Sequence, residues 1–470
     1  MTLIRPTSRT RRFQAALTGL VVAALVPIAA PTTAQAEEAV AGRGFVVPLG
    51  TPTPSLQDLQ KGLGLAELER KANAFDSGAV PRETLGISAS AGRRSKIPAV
   101  TPADINEQHA NPSAVSYPDP PRNISDAECD KALGEDGWFY LKSRFALCTG
   151  IHVIQIWQDD RGKTIGTSEY NAVMLGKIYK DTSRDIEFDY RLFGFKKSGV
   201  TQTGGFLIGP GAQILPDPSQ VRVNQSGKFP DMQSWDQLAR QSPITFSHVI
   251  NAAPGQGSSG SDDLVQGSYK ATMSQLWPNG KPWVAELAPI APRWDSAKYL
   301  KNSTGGGDPT KRGAAAFNYV ATLNYSAKVG APEKAVADHI KEVFTNPTRT
   351  VPRNPAKKVP GQTEEDYLHR IVRDTKRHDR NRYLAVADCK RYFGDDYSQG
   401  GKFECDEYPF ASTYEGAAEH EWDPDAKKDN YSVLPIDAKQ NGDAGLLLQG
   451  FYAKNRMLDG LEDGFIVKIT

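Results

Sequence analysis

The stretch richest in chemical possibility is 403–416, Phe-Glu-Cys-Asp-Glu-Tyr-Pro-Phe-Ala-Ser-Thr-Tyr-Glu-Gly. Its adjacent acids, Asp406 and Glu407, follow a strand-like start, and Pro409 prevents continuation as a helix. Upstream, 366–382 is basic and helix-like, with Arg370, Arg373, Lys376, Arg377, Arg380 and Arg382 set against Asp366, Asp374 and Asp379. Arg370, Arg373, Arg377 and Arg380 recur three or four apart, so one helical face would present several guanidinium groups at a spacing suited to phosphates. A solvated charged face is the ordinary explanation of such a run, and a water-facing turn that of two adjacent acids. A basic face beside an acidic pocket is also how a metal-dependent phosphodiesterase is arranged. Arginines hold the polyanion, while carboxylates and amides hold the metal.

Other candidates carry less. Gly255 to Gly260 fits G-x-G-x-x-G, but a dinucleotide site needs those glycines to lead from a strand straight into a helix, and here Asp262, Asp263 and a strand-like stretch follow. His152 and His248 lie inside strand patterns and read as packed or surface residues. Cys129 and Cys148 flank the start of the middle region, where a local disulfide is favoured over a metal site because no nearby His pair completes one.

The elements around these residues read as several domains. Residues 1–36 have the form of a secretory signal: Arg5, Arg9, Arg11 and Arg12, an uncharged apolar stretch, then Ala34-Gln35-Ala36. Residues 37–124 are Pro-rich and poor in large apolar residues, which suggests a pro-segment or tether, with one short amphipathic helix over 55–75 capped by Ser55. The region 125–345 is β-rich, with strands expected at 152–157, 186–193, 244–250, 281–287 and 317–323 in an antiparallel sandwich or barrel of unknown ligand, followed by a helix over 332–344. Residues 346–363 alternate Pro with Arg and Lys and read as a semi-rigid, cationic linker. A small α+β domain then fills 364–470.

With 56 Lys+Arg against 55 Asp+Glu, the chain has no single basic surface over the whole molecule, so any polyanion site must be local. Its 4 cysteines are too few for a disulfide scaffold. No stretch after the signal is apolar enough to span a membrane, so the mature protein is expected to be exported and soluble, where disulfides persist.

The segment from about 369 to 470 resembles the NucA/NucB-type deoxyribonucleases, in the "CDEYPFAST…EG" form of secreted actinobacterial members. Besides 403–416, the ordered matches are Arg380-Asn381-Arg382, Asn441 to Gly445, the stretch Phe451 to Gly460, and the closing strand at 465–469. The resemblance implies a ββα-metal fold that cuts DNA with little sequence preference, using one divalent cation, Mg²⁺ or Mn²⁺. It implies Asp406 as the general base, Asn441 as a metal ligand or phosphate-positioning group, and Glu407 and Asn455 as further candidates for the metal shell. Arg370, Arg373 and Arg377 would bind the DNA backbone. The interval from Asn441 to Asn455 is longer than in small bacillar members, and Gly313 to Ala316 stands where the family often has Cys. In the exported setting, a Cys389–Cys405 disulfide would fix the strand of Asp406. The competing reading is a secreted cell-surface or polymer-binding protein whose β domain does the work and whose nuclease module is degenerate.

Overall fold

Period-two alternation of apolar and polar residues shapes the middle of the chain. The computed structural model describes residues 41–74, 115–134, 137–257, 262–302 and 313–470. The expected signal segment lies outside these residues, as do 37–40 and 75–114. One sheet contains β1 (Ala41–Pro48), β2 (Phe139–Ser143), β3 (Ala146–Gln158), β4 (Thr164–Lys177), β5 (Ile186–Gly199), β7 (Val223–Ser226) and β9 (Ile244–Ala252), in the order β1-β3-β4-β5-β9-β7 with β2 also on β3. A second contains β6 (Leu207–Asp217), β8 (Gln233–Ser234), β10 (Val265–Leu276), β11 (Pro282–Glu286), β12 (Pro292–Asp295) and β13 (Ala314–Phe317), in the order β13-β12-β10-β6-β8 with β11 also on β10. Every pairing in both sheets is antiparallel. The sheets share one core, across which Phe188 of β5 stacks on Tyr269 of β10 at 3.9 Å. β3 is buried on both faces because small helices cover its outer side, which explains its nearly continuous apolar run.

The strands expected at 152–157, 186–193 and 244–250 form within β3, β5 and β9, and that expected at 281–287 forms as the slightly shorter β11. Residues 258–261, the end of the glycine motif and the position after it, lie outside the described residues; the next element is the strand β10 and not a helix, and Asp263 accepts hydrogen bonds from the amides of Gly255 and Gly257. Two expectations need correction. The helix over 55–75 is two helices, α1 (Leu56–Gln60) and α2 (Leu65–Ala74), parted by Gly62 and Gly64 at φ 77° and 82°. Nor are the described parts of 37–124 a tether. β1 is a full strand paired with β3, Leu59 and Leu68 pack on Ile154 and Ile156, and Tyr117 packs edge-on against Phe451. A further helix, α3 (Asp126–Leu133), carries Cys129 and joins it to Cys148 of β3, and α4 (Trp235–Gln241) starts with a capping box at Ser234.

The expected strand at 317–323 splits: Phe317 ends β13, while Ala321 opens β14 (Ala321–Tyr325), which joins a different sheet. There β14 runs parallel to the C-terminal β18 (Gly464–Ile469), whose other edge pairs with β15 (Leu368–His369). The helix expected over 332–344 forms as α5 (Lys334–Thr345) and buries Val336, Ile340 and Val343 with Leu323, Phe451 and Phe465. The C-terminal core therefore begins near 321, not at 364. The expected linker is part of it too: Val359 is buried, and the Nζ of Lys357, itself buried, donates to the carbonyl of Tyr431 at 2.7 Å.

The sandwich and this core belong to one compact unit spanning Ala39–Thr470, against the multidomain expectation. Their boundary is ionic and buried. Asp463 accepts from Arg144 and from Arg293, the latter at 3.0 Å, while Arg456 pairs with Asp295 at 2.7 Å, all buried. Burial pushes the Asp463 carboxyl up, but the two arginines outweigh it and hold it below its ordinary value.

Candidate active site

The signature acids sit on β16 (Phe403–Tyr408), which pairs antiparallel with β17 (Ser432–Asp437) and is followed by α7 (Ala438–Lys454). Side chains alternate along a strand, so Asp406 and Glu407 point to opposite sides of this hairpin. On one side lie Glu404, Asp406 and Tyr408, facing α5 and α7. His339 of α5 places Nδ1 2.6 Å from the Asp406 Oδ2 and Nε2 2.8 Å from the Ser432 Oγ. Asp437 caps α7 by accepting from the Gln440 amide, which sets Asn441 in the first turn, where its Nδ2 donates to the Glu404 Oε2 at 2.8 Å. The other side faces α6 (Thr375–Phe393). Cys405 is joined there to Cys389, and Arg382 donates to the Cys405 carbonyl at 2.6 Å and to Glu407. Burial pushes the Glu407 carboxyl up to about 7, against the opposing pull of Arg382 and with help from Asp406.

The loop after Pro409 is shaped by one buried amide. Asn381 donates to the carbonyls of Ala411 and Thr413 and accepts from the Ala418 amide at 2.9 Å. A Cβ on Gly416 would stand 2.3 Å from the Asn381 Nδ2, so no larger residue fits unless the loop moves. Arg377 donates to the Tyr414 carbonyl, and Glu415 accepts from both the amide and the Nδ1 of His369, at 2.8 and 2.6 Å. Beside this pair, burial and the Glu415 charge push the Glu419 carboxyl up to about 7.

The residues expected to share a pocket are divided. Glu407 is on the far side of the hairpin from Asn441. Asn455 lies at the sandwich boundary, its Nδ2 bonded to the Phe451 carbonyl and its own carbonyl to Arg144. Glu407, Asn441 and Asn455 therefore form no common ligand set. Among the described residues, no group of three or more His, Cys, Asp or Glu side chains is placed to hold a metal ion. The helix expected from 366 begins at Thr375, capped by Asp374, because Leu368 and His369 are drawn into β15. Arg370 thus lies outside the helix; it donates to the Met457 carbonyl and rests over the rings of Tyr452 and Tyr299. Arg373 pairs with Asp459 at 2.7 Å and with Asp262 of the sandwich. Only Arg377 of the three is on α6. Both expected disulfides form.

Asp406, His339 and Ser432 have the contact order of a nucleophilic triad, but Ser432 is 0% exposed, so no substrate carbonyl reaches its hydroxyl. His339 was not legible as a site residue, since it sits on the apolar side of α5 between Val336 and Ile340. Asn381 and Glu415 were visible only as members of motifs.

Residues 363–467 match the family model described as Deoxyribonuclease NucA/NucB. The C-terminal module is a NucA/NucB-type nuclease. No curated protein and no solved structure matches the chain. The NucA/NucB match takes in β15, α6, the β16–β17 hairpin, α7 and most of β18, and with them the chemistry of a DNA-hydrolysing nuclease. It stops short of β14 and α5, so His339 reaches Asp406 from outside the matched segment.

Proposed function

We propose that the chain is a secreted, metal-dependent DNA endonuclease with little sequence preference, in which Asp406 is the general base. The observation that carries this reading is the β16–β17–α7 unit, in which the strand acid Asp406 lies on the same side as the helix amide Asn441, which is bonded to Glu404 two residues before Asp406. Hydrolysis of a phosphodiester needs a base to take a proton from the attacking water and a positive charge to offset that developing on the phosphoryl oxygens. Asp406 suits the first task, because His339 holds Oδ2 and leaves the other oxygen to accept a proton.

For the second task the donor set fits a hard cation. Asn441 gives its N–H to Glu404, which leaves its amide oxygen as a donor, and Glu404 adds a carboxylate. Mg²⁺ or Mn²⁺ takes few protein oxygens and keeps water and substrate phosphate as its other ligands, so these two residues would hold it. When bound, the ion supplies charge neutralisation at the phosphate. Glu407 and Asn455 are given no part in this set; Glu407 instead ties β16 to α6 through Arg382.

The outer stripe of α6 lies across the hairpin from Asp406, so it would meet DNA only away from the scissile phosphate, as a flanking contact. Lys376, Arg380, Tyr383, Lys390 and Arg391 share the helix face opposite the buried Asn381, Ala385 and Cys389, with Arg377 at its edge. Export is supported by the signal-like residues 1–36 and by the pairing of all 4 cysteines in two disulfides. The full chain is tested on supercoiled plasmid, after chelation and with Mg²⁺ or Mn²⁺ restored. Nicked and linear products that depend on the added ion support the reading; circular DNA left intact with every divalent ion tried refutes it.

A further inference from the structure

We infer that His339, on a helix outside the matched nuclease segment, is a positioning residue that sets the orientation of the Asp406 carboxylate. The inference rests on the reading of Asp406 as the base. His339 is 4% exposed and bridges α5 to both strands of the hairpin, reaching Asp406 on β16 and Ser432 on β17. A carboxylate acting as base can only accept, so Nδ1 donates to it, and in the neutral ring Nε2 would then accept the Ser432 hydroxyl. Ser432 thus fixes the tautomer and the ring plane, and the ring fixes the carboxylate.

Any buried histidine must find polar partners for its ring nitrogens, so it is the identity of the partner that carries the inference. Here the 2.6 Å contact is to the one side chain whose rotation decides where a water proton is taken. Of the two carboxylate oxygens, the ring holds Oδ2, so the torsion of the group is determined before substrate arrives. α5 is itself held firmly: Val336, Ile340 and Val343 are in the core, and the Ala335 amide donates to the Gln440 side chain of α7 at 2.8 Å. The helix that supplies His339 is thus tied to the helix that carries Asn441. A misplacement of about 1 Å in a catalytic group lowers turnover on the order of 10²-fold.

Two isosteric variants separate positioning from packing in the full chain. His339→Asn keeps an N–H at the position of Nδ1, whereas His339→Gln places its amide at the position of Nε2 and loses the donor to Asp406. The cleavage rate at saturating Mg²⁺, KM for DNA and the melting midpoint are measured for both, with Asp406→Asn alongside. The expected result is a fall in kcat of about 10²-fold for His339→Gln, with KM and melting midpoint near the wild type and most of the turnover kept by His339→Asn. Ser432→Ala should give a smaller loss of the same kind. Equal turnover in the two His339 variants, or losses that only follow the melting midpoint, overturns the inference while leaving Asp406 as the base. Normal turnover of Asp406→Asn overturns the reading of the base and this inference together.

Discussion

Glu407 shows how burial tunes a single side chain beside a reactive strand. Its carboxyl is pushed up to about 7, so the folded state holds a proton that the unfolded chain releases near 4.5. The stabilising contribution is therefore complete below the unfolded value and is lost as pH rises through about 7, an effect of at most roughly 3 kcal/mol. Glu407→Gln keeps the shape without the titration, so its melting midpoint should change less than that of the wild type between pH 5 and pH 8. Parallel curves for the two proteins would show that Glu407 is ionised throughout. At this scale the acids are legible, because Asp406 and Glu407 stand in a dense motif. The motif does not tell that strand alternation sends them to opposite sides, or that a histidine 67 positions earlier meets one of them. Such a partner is set by tertiary packing, and no local periodicity encodes it.

α6 and α5 carry the consequences at the level of elements. If the outer stripe of α6 follows the DNA backbone, replacing Lys376, Lys390 and Arg391 by Ala should weaken binding alike on all sequences and reduce the log–log salt slope by about one unit per lost contact. An unchanged slope would place the DNA elsewhere. The core also fixes how much chain the module needs. A fragment of 364–470 lacks β14 and α5 and exposes the apolar surface that Leu323, Tyr325, Val336 and Ile340 cover, so it should show no cooperative unfolding. A cooperative melt from that fragment would contradict the structural boundary near 321. The expectation of a boundary at 345 followed from composition, which changes sharply at the Pro-rich stretch beginning at Pro347. Composition cannot reveal that β14 pairs with β18, which lies at the other end of the module. The same blindness placed Arg370 and Arg373 on a helix, since pairing of Leu368 with Phe465 is long-range.

At the scale of the whole molecule, buried charges join the sandwich and the nuclease core. Asp463 serves two arginines of the sandwich and the Leu458 amide at once. Asp463→Asn leaves those guanidinium groups buried without their counter-charge and should cost about 3–5 kcal/mol, read from urea unfolding of the full chain. A change below about 1 kcal/mol, the range of an exposed pair, would mean that water reaches this boundary. The β-rich character of the middle region was legible from alternation, and the nuclease character of the C-terminus from ordered motifs, but their union depends on ion pairs between residues more than 100 positions apart. The central claim is that Asp406 is the base of this nuclease. Its most direct test is single-turnover cleavage of plasmid by the Asp406→Asn full chain at saturating Mg²⁺, with DNA binding measured in parallel. The account predicts a rate lower by about 10²–10⁴-fold with binding retained; cleavage at the wild-type rate would contradict it.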